Sequence, residues 1–189
     1  ALSVMENQAN LLHDPDTPAY GPDNTKVAVI EFFDYQCVFC SRFAPELEKV
    51  MKAQPDVRYL FKEWPIFGGR WEASLQAAQQ GLTVWQKKGP QAYVTYHNAI
   101  YATGHNEGKL TVEDIRVAAS KAGLATSAPG DHTASLEKNS NLSEALGLTG
   151  TPGIIVMPVS GATPDTITVF PEAVTADRLQ VAIRKATAR

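Results

Sequence analysis

The chain has 189 residues, of which 44% are hydrophobic and 20% charged. That is enough apolar material for one large domain, or a domain with a sizeable insertion, to form a core without disulfide staples. The net charge of −3 argues against a nucleic-acid or anionic-membrane binder. No apolar run approaches the ~20 residues of a membrane span. Ala1 to Asn10 lacks a charged start followed by an apolar stretch, so it does not read as a signal peptide, which an exported chain would already have shed.

Residues 1–25 open with a short helical pattern carrying Val4, Leu11 and Leu12. The prolines and glycine of His13–Pro18 and Gly21–Asn24 then predict an irregular lead-in, equally compatible with a disordered tail, an ordered wrap or an oligomer contact. Val27–Phe33 is apolar, β-branched and aromatic, and predicts a buried strand. A helix is expected from about Cys37, with Phe43, Leu47, Val50 and Met51 on one face and Pro45 interrupting it. Val57–Glu63 alternates as a second strand, giving a β-α-β unit with a parallel pair. From Trp71 the period becomes helical. Leu75, Ala78, Leu82 and Trp85 mark one helix, and Ala92, Tyr96, Ala99 and Ile100 the next. Thr111 as N-cap with Asp114 three residues on reads as a weaker form of the capping box, starting a third helix that ends at Gly123, and a fourth is expected from about His132 to Leu146. Gly153–Met157 predicts a buried strand, Ser160–Asp165 a turn and Thr166–Phe170 an antiparallel partner. Thr175–Thr187 closes the chain as an amphipathic helix with Leu179, Val181, Ala182 and Ile183 apolar.

The only two cysteines are Cys37 and Cys40, at the junction of the first confident strand and its helix. A CxxC there is the sequence form of a thiol–disulfide redox centre. At a helix N-terminus a thiolate is stabilised by unpaired N–H groups and the helix dipole, so Cys37 is expected to be the exposed nucleophile. Cys40, one turn on, is expected to be the more buried resolving thiol. A zinc site would need four ligands, and His13, His97, His105 and His132 are scattered with no second CxxC. Copper(I) needs only two thiolates and stays open as an alternative role. An inert disulfide closing so short a loop would stabilise little.

Glu31 lies in an apolar strand six residues before Cys37. An ionisable group there costs desolvation, which favours a buried acid able to take the proton that Cys40 must lose, over a strand-edge carboxylate in water. Thr151-Pro152 immediately precedes a strand. A cis bond there would turn the Thr151 backbone outward to pair with an extended peptide, whereas a trans bond would make an ordinary turn.

Together the element order β-α-β, helical block, β-β-α is that of an α/β thioredoxin fold with an inserted helical domain. The expected divisions are 1–25 for the lead-in, 26–70 and 148–189 for the thioredoxin-fold domain and 71–147 for the insertion. Val29-Ile30-Glu31-Phe32-Phe33-Asp34-Tyr35-Gln36-Cys37-Val38-Phe39-Cys40, Phe61-Lys62-Glu63-Trp64-Pro65 and Gly147-Leu148-Thr149-Gly150-Thr151-Pro152 resemble the strand, active site and cis-proline loop of the DsbA-like thiol–disulfide oxidoreductases of the bacterial envelope. The segment Leu11–Pro18 resembles the ScsC/Com1-like subgroup. The resemblance runs from about Leu11 to the end of the chain. It implies a periplasmic address, catalysis by Cys37 and Cys40, a buried acid at Glu31, a cis-Pro152 and protein substrates met by Thr151, Pro152, Val38 and Phe39. It also implies a membrane partner that resets the cysteine pair, with no cofactor, metal or nucleic acid, and leaves an oligomer through the N-terminal segment open. Relatives commonly have proline where this chain has Val38, and threonine where it has Gly153. Thr151 resembles the isomerase-like members, so disulfide reduction or isomerisation is expected ahead of primary oxidation. A copper-binding metal-tolerance protein and a non-enzymatic peptide-binding chaperone are the alternatives from other classes.

Overall fold

In the computed structural model, which describes residues 1–125 and 129–188, the lead-in is ordered. It forms two short helices, Leu2–Glu6 (α1) and Gln8–Leu12 (α2), whose Val4 and Leu11 are buried. It then forms a two-residue strand, Ala19–Tyr20 (β1). The short helical pattern of Val4, Leu11 and Leu12 is thus present, and of the readings open for the lead-in it is the ordered wrap that the structure shows, with a strand in the part expected to be irregular. Ala19 and Tyr20 lie between Pro18 and Gly21 and are themselves free to pair, opposite Leu60 and Tyr59. Short edge strands of this kind close a sheet without offering a template for aggregation.

The central strand is Val27–Phe33 (β2), buried along its whole length. Its apolar run fails to alternate because both of its faces are covered. The helix Val38–Ala53 (α3) follows, with Pro45 inside it, and leads to Arg58–Glu63 (β3), which pairs parallel to β2. Four helices come next, Glu72–Lys88 (α4), Pro90–Ala102 (α5), Val112–Lys121 (α6) and Thr133–Ala145 (α7). Thr111 and Asp114 make the expected reciprocal capping box at the start of α6. Gly153–Pro158 (β4) then runs antiparallel to β2, Thr168–Phe170 (β5) pairs with β4, and Ala176–Thr187 (α8) ends the fold. The sheet order is β1-β3-β2-β4-β5. β5 starts two residues later than expected because the Thr166 hydroxyl is used by the turn, donating to the Thr163 carbonyl and accepting from the Thr163 N–H.

The sheet separates two apolar layers. Val29, Phe33, Tyr59, Phe61, Ile154 and Val156 face α3, α5, α6 and α8. Ala28, Ile30, Phe32, Leu60, Ile155 and Met157 face Val4 and Leu11 of the lead-in and Leu142 of α7. Two expected core residues are not in either layer. Leu75 is 38% exposed and Val181 56% exposed, because the buried stripes run through Ala77, Ala78 and Leu82 on α4 and through Leu179, Ala182, Ile183 and Ala186 on α8. Among the described residues no helix is long and apolar enough to cross a membrane.

Candidate active site

The antiparallel pairing of β2 with β4 decides what meets the cysteines. Phe32, near the end of β2, sits opposite Gly153, the first residue of β4. The loop leaving β2 and the loop entering β4 therefore share one end of the sheet. Cys37, Val38, Phe39 and Cys40 come from the first loop, Thr151 and Pro152 from the second, and Glu31 lies beneath them. All seven residues singled out from sequence are at this end. The Thr151–Pro152 bond is cis. A Cβ at Gly153 would lie 2.8 Å from Leu148 Cδ1, so a larger residue there requires the Leu148 side chain to shift.

Cys37 is the N-cap of α3. Its Sγ accepts from the Cys40 N–H at 3.3 Å and lies 3.3 Å from the Thr151 carbonyl, to which the thiol form donates. Both cysteines are free thiols. Hydrogen bonding from the Cys40 thiol lowers the Cys37 pKa to about 6 against the opposing cost of burial, helped by Thr151 and by the N–H groups of Cys40 and Phe39. The Thr151 hydroxyl is buried and has no hydrogen-bond partner among the described residues, so it is left available to the thiolate. Cys40 is pushed the other way, well above an ordinary thiol, first by burial and then by its bond to Cys37. The pair is thus split into a thiolate and a protonated thiol.

One expectation about the pair is corrected. Cys37 is not exposed: only 4% of its surface is accessible, against 0% for Cys40. The cis-proline loop lies against its sulfur, and the exposed residue of the motif is Phe39, at 53%, with the Arg42 guanidinium 5.4 Å over its ring.

Glu31 is 2% exposed, as a buried acid and not a strand-edge carboxylate. Burial, then the charges of Cys37 and Glu63, raise its pKa well above the usual carboxylate range. Its Oε1 has no hydrogen-bond partner among the described residues.

The geometry agrees with what the chain resembles. The thioredoxin family profile matches residues 13–176. The chain belongs to the thioredoxin family, within its DsbA-like thiol–disulfide oxidoreductases. Among solved structures, BcfH from Salmonella enterica Typhimurium is 37% identical with a TM-score of 0.85, the match covering 99% of this chain and 80% of that one. The catalytic domain of Proteus mirabilis ScsC is 28% identical with a TM-score of 0.83, over 100% and 98%. A periplasmic thioredoxin-like protein from Salmonella enterica serovar Typhimurium is 30% identical with a TM-score of 0.79, over 95% of each chain. A comparison with curated proteins returned no match.

Residues that the sequence did not single out surround the cysteine pair. Asp34 fixes the turn into the motif: its carboxylate accepts from the N–H groups of Gln36 and Phe67, and its carbonyl accepts from Cys37 N–H and the Tyr101 hydroxyl. Gln36 is fully buried and ties the helical block to the motif. Its side chain donates to Ser74 and accepts from the N–H groups of Gly108 and Leu110, while its carbonyl accepts from Glu107 N–H. The Glu107 carboxylate in turn accepts from Val38 N–H at 3.0 Å. Glu63 is a second buried acid, accepting hydrogen bonds from Tyr35 at 2.8 Å and Tyr93 at 2.6 Å, its pKa raised by burial to about 8. Glu63 could have been found from the two-residue period of β3, which puts Tyr59, Phe61 and Glu63 on the face of Glu31. Gln36 and Glu107 lie about 70 residues apart in the chain, and no local pattern joins them.

Proposed function

We propose that this protein is a periplasmic thiol–disulfide oxidoreductase acting on protein cysteines, with reduction or isomerisation of disulfides ahead of primary oxidation. The observation that carries the reading is the split pair: a Cys37 sulfur held as thiolate at the start of α3 beside a buried, protonated Cys40. In the reductive direction the Cys37 thiolate attacks one sulfur of a substrate disulfide. A Cys37–substrate disulfide forms and the other substrate sulfur leaves as thiolate. Cys40 then loses its proton to Glu31 and attacks Cys37, releasing the second substrate sulfur. The substrate gains two electrons and the protein is left with a Cys37–Cys40 disulfide. A base buried beside the thiol, with its pKa raised toward that of the acid it serves, suits this transfer.

Thr151 and Pro152 form the ledge on which an extended substrate segment pairs by its backbone, and Val38 and Phe39 meet its side chains. Burial of Cys37 under this ledge fits a nucleophile that is reached only by a segment laid along it. Residues 71–147 act as the inserted domain that frames this end of the sheet. Unfolded or misoxidised proteins are the substrates, and a membrane redox protein resets the pair. The periplasmic address rests on the description of the Salmonella relative.

The test is Cys40→Ser. The variant should accumulate mixed disulfides through Cys37 with envelope proteins, and a failure to trap any protein defeats the reading. Direction is decided by the equilibrium of Cys37/Cys40 with glutathione. A potential near the roughly −120 mV of a strong oxidant would reverse the preference for reduction.

A further inference from the structure

We propose that Glu107 sets the redox poise of the cysteine pair, by placing a carboxylate from the helical block on the Val38 N–H, in the same helix N-terminus whose donors hold the Cys37 sulfur. The inference rests on the reading of Cys37 as the nucleophile. A helix N-terminus offers a small number of unpaired donors and a partial positive charge. At α3 they are divided. Cys40 N–H points to Cys37 Sγ, while Val38 N–H is taken by the Glu107 carboxylate. An acceptor that already carries negative charge both occupies a donor and repels a second negative charge beside it.

The backbone supports the same assignment independently. Glu107 is the only non-glycine with a positive φ among the described residues, at 53°. That conformation is uncommon for a residue with a long side chain. It is enforced by Gln36, whose carbonyl holds Glu107 N–H and whose buried side chain holds the N–H groups of Gly108 and Leu110. Four hydrogen bonds thus join residues 107–110 to residues 36 and 38, and their effect is to aim one exposed carboxylate at the first turn of α3. Backbone held in a sparsely populated region and over-determined by its surroundings is a recurrent mark of functional positions.

Among the described residues the other ionisable groups near the pair are Cys40 from α3, Glu31 from β2, Asp34 from the approach loop and Tyr101 from α5, with Arg42 stacked on Phe39. The cis-proline loop contributes a carbonyl and a hydroxyl but no charge. Among the described residues Glu107 is the one acid that reaches the α3 donors from outside the core, and so the one that can be changed without opening a cavity. Its role is positioning and electrostatic, not contact with the reacting atoms.

The experiment compares wild type with Glu107→Gln, which keeps the acceptor and removes the charge, and Glu107→Gly, which removes both and suits the left-handed backbone. Glu48→Gln, about three turns along α3, controls for the change in net charge. Cys37 ionisation is read from thiolate absorbance against pH in the reduced proteins. Poise is read from the reaction in which the two thiols give two electrons and two protons to glutathione disulfide, yielding the protein disulfide and two glutathione thiols. Both Glu107 variants should lower the Cys37 midpoint by about 0.3 to 0.7 unit and shift the glutathione equilibrium about two- to fivefold toward the reduced protein, the scale of one charge at a helix end. Glu48→Gln should do neither. An unchanged or raised midpoint in Glu107→Gln overturns the proposal, as does an equal shift in Glu48→Gln. If Cys40→Ser traps nothing while the Glu107 midpoints move as expected, it is the functional reading that fails and not this one.

Discussion

Glu31 and Glu63 stand on neighbouring parallel strands, both fully buried on the face of the sheet that carries α3 and the cysteine pair. Their pairing partners, Phe61 and Phe33, complete the patch, so the two acids are surrounded by rings instead of water. Among the described residues Glu63 accepts hydrogen bonds from Tyr35 and Tyr93. Glu31, nearer the cysteines, has an unpartnered oxygen. An acid in that state exchanges a proton readily with a neighbouring thiol and is costly to keep otherwise. Glu31→Gln should leave attack by Cys37 intact and slow release of the mixed disulfide by about a hundredfold, as expected for loss of a positioned base. Single-turnover kinetics with a disulfide peptide separates the two steps. Equal slowing of both, or of neither, would remove Glu31 from the resolving step.

Glu63 makes a stability prediction whose sign follows from its raised pKa of about 8. Below the ordinary carboxylate pKa the group is protonated in folded and unfolded chains alike, and its contribution is fully present. As pH rises toward 8 the unfolded chain ionises while the folded one resists, so stability is lost across that window. Glu63→Gln keeps an acceptor for the tyrosines and cannot ionise. It should gain on wild type by on the order of a few kcal/mol between about pH 5 and about pH 8. Urea unfolding of the reduced proteins at the two pH values measures this, and a constant difference between them would contradict the buried-acid account. The space for this carboxylate is made by Gly81, where a Cβ would lie 2.6 Å from the Glu63 carboxylate.

The contrast between these two acids shows what the sequence carried. β2 was legible because both of its faces are buried and seven consecutive residues say so; Glu31 was legible as the one polar residue among them. The start of α6 was written locally in Thr111 and Asp114. The two-residue β1 was hidden because pairing with β3, and not its own composition, creates it. The covering of Cys37 was hidden because it depends on Thr151, 114 residues away. Gln36 and Gly81 have no local signal at all, since each acts by what the fold brings against it.

Thr151 and Glu107 act on Cys37 with opposite sign. The Thr151 hydroxyl favours the thiolate, so Thr151→Val, similar in shape but without the donor, should raise the Cys37 pKa from about 6 by roughly one unit, the worth of a hydrogen bond to a charged group. Since the folded pKa lies below the ordinary thiol value, the thiolate advantage is present at high pH and lost as pH falls through about 6. The variant should lose it at a higher pH. The pH profile of alkylation of Cys37 in the Cys40→Ser background reads the shift with the second thiol absent. An unchanged profile would mean that the hydroxyl serves only packing.

Lys62 fastens the lead-in to the opposite face of the sheet. Its side chain is inaccessible, and Nζ donates to the Asn10 carbonyl at 2.8 Å and to the Thr17 hydroxyl at 2.7 Å. Asp14, 3.9 Å away, also pairs with Lys138 at 3.3 Å. Burial lowers the Lys62 pKa to about 8, with Asp14 opposing that shift and Lys138 adding to it. The folded chain therefore binds this proton less well than the unfolded one. The group weakens the fold below about pH 8, and that penalty is relieved as pH rises from there toward the ordinary lysine value. Lys62→Met preserves the aliphatic stem but strands the Asn10 carbonyl, the Thr17 hydroxyl and part of the Asp14 charge. It should cost about 2–4 kcal/mol at neutral pH and abolish the gain in stability above about pH 8 that wild type draws from this residue. Because Lys62 lies on the far face from Glu31 and the cysteines, the Cys37 thiolate midpoint should not move. Limited proteolysis should cut first in residues 1–20, and a variant whose lead-in stays as resistant as wild type would show that Val4 and Leu11 hold that segment without the lysine.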